Sequence, residues 1–291
     1  MTTSSTALAS GGARAVLARR GAEARSWSVG GRDLLWPGDP AIWPQVSPIL
    51  YPVVGWTREG ARVAGRHYPL GLHGFAYQQD FEVEAAGADF ARLTLRDNAA
   101  TRALYPFAFG LGVEYRLSAD ALAIAIEVDN PGDEPAPYAC GLHPGFRWPF
   151  AGGPREGARV VFESQEPAEV PVIAPGGLIG RQKRAIPLRG RALALSDELF
   201  AHDALCFLAP ASRSLRFEEP GGAAIEMDFH GFDHAALWTR PGAPFLCLEA
   251  WTGYSDPEGF AGDLYEKPSM RMLKSGERTR HEASYRFFPA P

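Results

Sequence analysis

The sequence predicts an all-β protein, a large sandwich of two antiparallel sheets with little helix. Three observations support this. Apolar residues recur mostly at every second position, which is the period of a strand with one buried face. The 32 glycines and 25 prolines are enough to punctuate many short strands. Helical periodicity is weak along the whole chain. Because all-β sandwiches often reach this length as one unit, we expect a single domain over residues 1–291.

The predicted strands follow one another with short turns between them. "RSWSVGGRDLLW" contains two strands around Gly30-Gly31, a favourable hairpin dipeptide. "ARLTLRDN" and "GVEYRLSAD" alternate in the same way, and the second forms a hairpin with "DALAIAIEVDNPGDE". That last segment places four apolar side chains on one face, Leu122, Ile124, Ile126 and Val128. The best helical candidate is the short segment "SDELFAHDALCF", with Ser196 as a possible N-cap.

Charge and cysteine content narrow the class of protein. A formal net charge of −5 and a pI near 5.8 argue against a nucleic-acid partner, which requires a basic face. The three cysteines, Cys140, Cys206 and Cys247, all stand in apolar segments, and we expect reduced core thiols in a cytoplasmic protein. The longest uncharged run, residues 40–57, contains four prolines, so we expect no membrane partner.

The segment "PFLCLEAWTGYSD" contains one residue that does not fit its surroundings. Glu249 lies between Leu248 and Ala250 in a run that otherwise predicts a buried strand. A carboxylate is almost never fully buried without a partner. Glu249 is therefore either an edge residue or half of a buried ion pair, or it lines a pocket and acts chemically with a shifted pKa.

Two histidines stand in similarly informative places. His73 lies in "YPLGLHGFAYQQDF" between glycines, and His143 lies in "YACGLHPGFRWPF" beside an aromatic-rich loop. Each alone is more typical of a core or turn residue. Together with Glu249 they indicate a sugar pocket, in which aromatic rings stack on the pyranose and polar side chains bind its hydroxyls. The sequence lacks a phosphate loop and a CxxC motif, and no HExxH surrounds His230 and His234, so we expect neither cofactor nor metal.

The order of these motifs resembles the aldose 1-epimerase (galactose mutarotase-like) family, particularly its short bacterial mutarotase-like branch. The motifs are "RDLLWPGDPAIWPQVSPILYPVVG", "HYPLGLHGFA", "GLHPGFRWPF", "LFAHDALCFL" and "FLCLEAWTGYSD" followed by "EKPSMRMLKSGE". The resemblance implies the family's β-supersandwich. It also implies His73 as a substrate-binding residue, His143 as the catalytic acid, Glu249 as the catalytic base, and Asp203 as a contact to sugar hydroxyls.

We expect Trp251 at or near the same cleft, with core packing as the alternative. Galactose mutarotases usually carry an Asn-Arg pair near the position of "SPILYPVVG", which this chain lacks, so the sugar is not identified as galactose.

The chemistry expected of such a site is cofactor-independent acid–base catalysis. Interconverting the α and β anomers of an aldose requires ring opening, rotation about C1–C2 and closure on the other face. One base and one acid suffice. A carboxylate with a pKa raised by desolvation and an imidazolium held by a neighbouring carboxylate meet that need.

Two alternatives remain open on the same fold. A sugar-phosphate mutarotase would require an arginine cluster, for which Arg58, Arg62, Arg66 and Arg147 are candidates. A non-catalytic sugar-binding or regulatory protein could keep the pocket without the activity. The partner in every case is a small sugar, and the sequence is compatible with a monomer or a homodimer.

Overall fold

The structure, a computed structural model, describes residues 5–291. Strands make up 48% of it and helices 5%, which confirms the predicted all-β class. One helical turn, α1 (Ala99–Arg102), and three 3₁₀ turns, Ala76–Gln78, Glu198–Phe200 and Leu264–Glu266, account for the helix. Within residues 5–291, no helix is both long and apolar enough to span a membrane.

The strands in chain order are β1 (Ser5–Ser10), β2 (Ala13–Ala18), β3 (Ala24–Val29), β4 (Arg32–Asp33), β5 (Ile49–Leu50), β6 (Ala61–Val63), β7 (Arg66–Tyr68), β8 (Glu82–Ala86), β9 (Phe90–Arg96), β10 (Gly110–Leu117), β11 (Ala121–Asp129), β12 (Ala136–Tyr138), β13 (Gly141–Leu142), β14 (Gly145–Arg147), β15 (Arg159–Phe162), β16 (Glu169–Ala174), β17 (Leu178–Ala185), β18 (Leu188–Arg189), β19 (Ala192–Ala194), β20 (Leu205–Leu208), β21 (Ser214–Glu218), β22 (Ala224–His230), β23 (His234–Trp238), β24 (Phe245–Trp251), β25 (Arg271–Leu273) and β26 (Arg278–Phe288).

Two large antiparallel sheets dominate the architecture. The ten-stranded sheet has the order β18-β19-β15-β21-β22-β26-β11-β10-β9-β8. The six-stranded sheet has the order β20-β23-β24-β13-β5, and β14 also pairs with β24. A four-stranded sheet, β1 to β4, and the two-stranded ribbons β6–β7, β12–β25 and β16–β17 complete the fold.

The main core lies between the two large sheets. The inward face of β11, which carries Leu122 and Ile126, is buried as the alternation predicts. On β24, Leu246, Leu248 and Ala250 belong to the same core cluster. The Tyr285 hydroxyl of β26 donates a 3.4 Å hydrogen bond to the Leu248 carbonyl of β24 and so joins the two sheets directly.

The local predictions are confirmed at the hairpins and wrong at the helix. β3 and β4 pair across Gly30-Gly31, both with positive φ, and β10 pairs with β11. The segment "SDELFAHDALCF" is helical only in the 3₁₀ turn Glu198–Phe200, and Ser196 is not its N-cap residue. Its last three residues begin β20, because hydrogen bonding to β23 overrides a weak local helical preference.

Candidate active site

The five residues predicted for the site line one cavity of about 370 Å³ at the outer face of the six-stranded sheet. They are His73, His143, Asp203, Glu249 and Trp251. Period-two alternation along β24 explains how the strand serves both faces. Leu246, Leu248 and Ala250 point into the main core, while the residues between them face the other way.

Strand pairing brings His143 to Glu249. Leu142 pairs with Ala250 and Gly145 pairs with Cys247, so the shared register places His143 across from Glu249. Nε2 of His143 lies 3.3 Å from Oε2 of Glu249. The two side chains therefore form a buried dyad built by neighbouring strand backbones rather than by mobile loops.

Glu249 is a buried carboxylate, only 1% exposed. Burial raises its pKa well above the ordinary range, the nearby Asp203 carboxylate raises it further, and a hydrogen bond from Trp251 opposes them. That bond runs from the indole Nε1 to Oε2 at 3.1 Å. Exclusion of water is the largest of these effects, so Glu249 in its charged form is a strengthened base.

His143 is enclosed by aromatic rings. The ring centroid of Trp43 lies 5.2 Å from that of His143, with an angle of 31° between the ring planes. The ring of Trp238, with its centroid 5.7 Å away, is nearly perpendicular to the imidazole. Burial, followed by the nearby His73, lowers the pKa of His143 well below its ordinary value. Its Nδ1 has no hydrogen-bond partner among residues 5–291. The expected imidazolium is thus disfavoured in the dry site.

The two shifts in the dyad have a common consequence. A raised carboxyl pKa and a lowered imidazole pKa both favour a pair that holds one proton and carries no net charge. At 3.3 Å, moving that proton between Oε2 and Nε2 interconverts a neutral pair and an ion pair within the cavity. The dyad can therefore both accept and donate a proton.

His73 enters the cavity from a tight loop. Its φ is +59°, and Gly74 follows with a φ of +71°. The Gly55 backbone N–H donates a 3.0 Å hydrogen bond to Nδ1 of His73, which assigns the ring proton to Nε2. Burial lowers the pKa of His73 to about 4. The His73 ring is thus neutral and carries its one N–H donor at Nε2.

The last two predicted residues occupy different depths of the cavity. Asp203 is exposed at the mouth, with a φ of +72°, and its Oδ1 accepts the Ala204 N–H at 2.7 Å. Trp251 is 6% exposed and packs in a core cluster with Leu50 and Cys206 while its N–H binds Glu249. Trp251 therefore both lines the cavity and packs in the core.

Sequence reasoning missed several lining residues, chiefly Trp43, Gln45, Trp238 and Arg240. Trp238 pairs with Cys247 on the strand beside Glu249, a neighbour that no local pattern identifies. Trp43 had a usable signal, because it is an aromatic residue between prolines in a segment already assigned to the family pattern.

The arginines considered for phosphate binding do not meet at this cavity. Arg58, Arg62, Arg66 and Arg147 are absent from its lining in the described chain, whereas Arg240 contributes to it. Arg62 donates instead to the Gly262 carbonyl, and Arg147 lies 3.6 Å from Asp33. These four candidates therefore do not form a phosphate-binding cluster at this cavity.

One group in the described chain has metal-ligating atoms close together. Atoms of His143, Cys247 and Glu249 lie within 4.8 Å of one another. Burial raises the pKa of the Cys247 thiol and of the Glu249 carboxyl, which favours their protonated forms. Protonated thiols and carboxyls are poor ligands, so the donor set fits proton transfer better than metal binding.

Comparisons with known proteins agree on one family. The sequence profile described as aldose 1-epimerase matches residues 5–286. The chromosomal LacX protein of Lactococcus lactis subsp. lactis is 31% identical over 255 residues, covering 84% of this chain and 85% of LacX.

Solved structures show the same fold. A galactose mutarotase-like protein from Lactobacillus casei ATCC 334 has a TM-score of 0.90 at 25% identity, covering 98% of this chain and 100% of that one. A galactose mutarotase related enzyme from Lactobacillus acidophilus has a TM-score of 0.88 at 26% identity, covering 99% and 98%.

Proposed function

The chain belongs to the aldose 1-epimerase family, and from that premise we propose that it interconverts the α and β anomers of a free hexose without a cofactor. The observation that carries the proposal is the buried dyad of His143 and Glu249, 3.3 Å apart at a cavity large enough for one pyranose. We propose further that the whole chain acts as one cytoplasmic domain.

The proton inventory of the dyad matches the reaction. In the ion-pair form, Glu249 takes the proton of the anomeric hydroxyl while His143 gives its proton to the ring oxygen. The C1–O5 bond breaks and the open-chain aldehyde forms. The dyad is left with a protonated Glu249 and a neutral His143, which is its other one-proton form.

Ring closure runs the same transfers backwards. After rotation about C1–C2, the O5 hydroxyl attacks C1 from the other face and returns its proton to His143, while Glu249 protonates the new anomeric oxygen. No proton has to enter or leave the cavity in one turnover. A site that excludes water therefore suits this chemistry, because electrostatic interactions between the dyad and the reacting oxygens are stronger there than in water.

Binding is assigned to the surrounding residues. The Nε2–H of His73 would donate to a sugar hydroxyl, and Asp203 at the mouth would accept from one. Trp43 and Trp238 supply aromatic surface for the C–H face of a pyranose, and Trp251 orients the carboxylate of Glu249.

A direct anomerisation assay tests the proposal. Freshly dissolved α-anomers of free and phosphorylated hexoses are followed by polarimetry or NMR with the wild-type protein and with Glu249→Gln. We expect faster mutarotation of a free hexose with the wild type alone. Acceleration confined to phosphorylated sugars would favour the sugar-phosphate alternative. Saturable binding without acceleration would favour the non-catalytic one.

A further inference from the structure

A second buried ion pair lies behind the cavity wall. Nζ of Lys267 is 3.0 Å from Oδ1 of Asp256, and the two side chains are 0% and 2% exposed. Neither residue lines the cavity. Because burying two charges is costly, such a pair contributes little net stability, and a positional role is a better explanation of its presence.

Asp256 holds the segment that forms the cavity wall. Its Oδ2 accepts the Arg58 backbone N–H at 2.8 Å, and its own N–H donates to the Trp56 carbonyl at 2.8 Å. The neighbouring Ser255 hydroxyl accepts the Trp56 N–H at 3.0 Å. Residues 56–58 are thus fastened to residues 255–256 by three hydrogen bonds.

The fastened segment continues directly into the contact with His73. The Gly55 N–H donates to Nδ1 of His73 at 3.0 Å, and the His73 N–H donates to the Gly55 carbonyl at 2.9 Å. The backbone at Gly55 is closely packed and has little room to move. Gly55 has a φ of +72°, and a methyl group on it would lie within 2.1 Å of the Ser255 hydroxyl oxygen.

We propose that the Asp256–Lys267 ion pair is a positioning element for His73. Lys267 holds Oδ1, so Oδ2 faces the Arg58 N–H, and the ordered segment 55–58 presents the Gly55 N–H to Nδ1. The proton of His73 is thereby kept on Nε2, facing the sugar. This role rests on the proposed function only in what His73 does for the sugar.

The test compares three variants of the full-length protein. The pair is removed in Asp256→Ala/Lys267→Met, and the acceptor alone is restored in Asp256→Asn/Lys267→Met. Glu219→Ala serves as the control, since Glu219 is another buried carboxylate that accepts two backbone amides and lies outside the cavity lining. The His73 tautomer is measured by ¹⁵N NMR without sugar, with its signals assigned by their loss in His73→Asn.

Removing the pair should let the Nδ1–H tautomer of His73 appear and raise KM about tenfold, with kcat changing by less than about threefold. The Asn/Met variant should recover most of the wild-type tautomer, and Glu219→Ala should keep it. If the Ala/Met variant does not fold, Lys267→Met takes its place. In Lys267→Met the Nδ1–H tautomer of His73 should also appear, and KM should rise about threefold.

An unchanged tautomer in the folded Asp256→Ala/Lys267→Met variant, or in Lys267→Met where the double variant does not fold, overturns the positioning role, as does an equal change in Glu219→Ala. The tautomer is measured without turnover, so a changed tautomer in a protein that accelerates no sugar would count against the proposed function alone.

Discussion

At the scale of single residues, Glu249 shows how chemistry opposes stability. The carboxyl lies in a strand whose seven residues are all buried, and one indole N–H is its main compensation. Removing a carboxylate from water without full compensation is unfavourable. In the proposed mechanism this cost is accepted because the exclusion of water also raises the basicity of Glu249, on which proton abstraction would depend.

Glu249→Gln separates these two effects. The amide keeps the shape and an acceptor for Trp251 but cannot take a proton, so kcat should fall by on the order of 10² to 10⁴. The melting temperature at neutral pH should stay the same or rise, because a buried ionisable group is lost. Progress curves and calorimetry measure the two quantities.

Glu166→Gln is a suitable control, since Glu166 is also buried but accepts the Ala211 and Ser212 backbone amides and lies outside the cavity lining. Turnover of Glu249→Gln within about threefold of the wild type would remove Glu249 from the base role.

The pH dependence of kcat/KM should be bell-shaped, with limbs that belong to the dyad as a unit. In the proposed mechanism the active form of the dyad is the one that holds a single proton. Because the pKa of His143 is lowered and that of Glu249 is raised, the acidic limb reports protonation of His143 and the basic limb reports loss of the proton from Glu249. This order is the reverse of the one that ordinary pKa values suggest.

The Glu249→Gln variant tests whether the basic limb belongs to Glu249 or, as ordinary pKa values suggest, to His143. In Glu249→Gln the residual activity should lose its basic limb and keep an acidic one. A residual profile that keeps the basic limb unchanged would show that another group, rather than Glu249, titrates there.

At the scale of elements, β24 was predictable and its neighbours were not. Alternation along "FLCLEAW" is enough to place Glu249 and Trp251 on one face. The partners across from that face depend on register with β13, β14 and β23, which local sequence does not encode. Ala236, whose small side chain lies opposite Glu249, could therefore not be identified.

The His73 loop makes a testable demand on one glycine. A methyl group on Gly74 would lie 2.3 Å from the Tyr51 carbonyl oxygen, and φ there is +71°. Gly74→Ala should cost roughly 1–3 kcal/mol of unfolding free energy and weaken sugar binding by displacing His73. Gly71→Ala, three residues earlier, should do neither, because no atom lies within 4 Å of its added methyl group.

Urea denaturation measures the unfolding free energy of the two variants, and steady-state kinetics measures their KM for the sugar. Equal stability of the Gly74 and Gly71 variants would mean that the loop relaxes freely and does not hold His73 in place.

At the scale of the whole molecule, the class of fold followed from the sequence while the sheet order did not. Alternation and turns identify strands, but β26 lies between β11 and β22, and such distant pairing leaves no local trace. The same limit applies to the Asp256–Lys267 pair, whose partners look like ordinary surface residues in the sequence. Both the sheet order and the burial of this pair depend on contacts between residues that are distant in the sequence.

Burial of several histidines makes the stability of the whole protein depend on pH. The pKa values of His73, His234 and His281 are lowered to about 4, and that of His143 also falls well below its ordinary value. The unfolded chain binds protons at these sites below about pH 6.5, whereas the folded chain does not. Stability is therefore present above that pH and is lost as pH falls toward 4.

The raised carboxyl pKa of Glu249 acts in the opposite direction, because there the folded state holds the extra proton. Against this one carboxyl stand four histidines, each with a lowered pKa. We expect the free energy of unfolding to drop between pH 7 and 5 by on the order of 1–2 kcal/mol for each fully buried histidine.

His281 offers the sharpest test of this dependence. Its Nδ1 donates to the Gly231 carbonyl at 2.7 Å and its Nε2 lies 3.0 Å from the Tyr138 hydroxyl, so a second proton would break the bond from tyrosine. His281→Gln should be less stable than the wild type at pH 7 but lose less stability on going to pH 5. His202→Gln, at an exposed position, should follow the wild-type curve. Parallel urea-unfolding curves for His281→Gln and the wild type across this range would show that His281 does not titrate on unfolding.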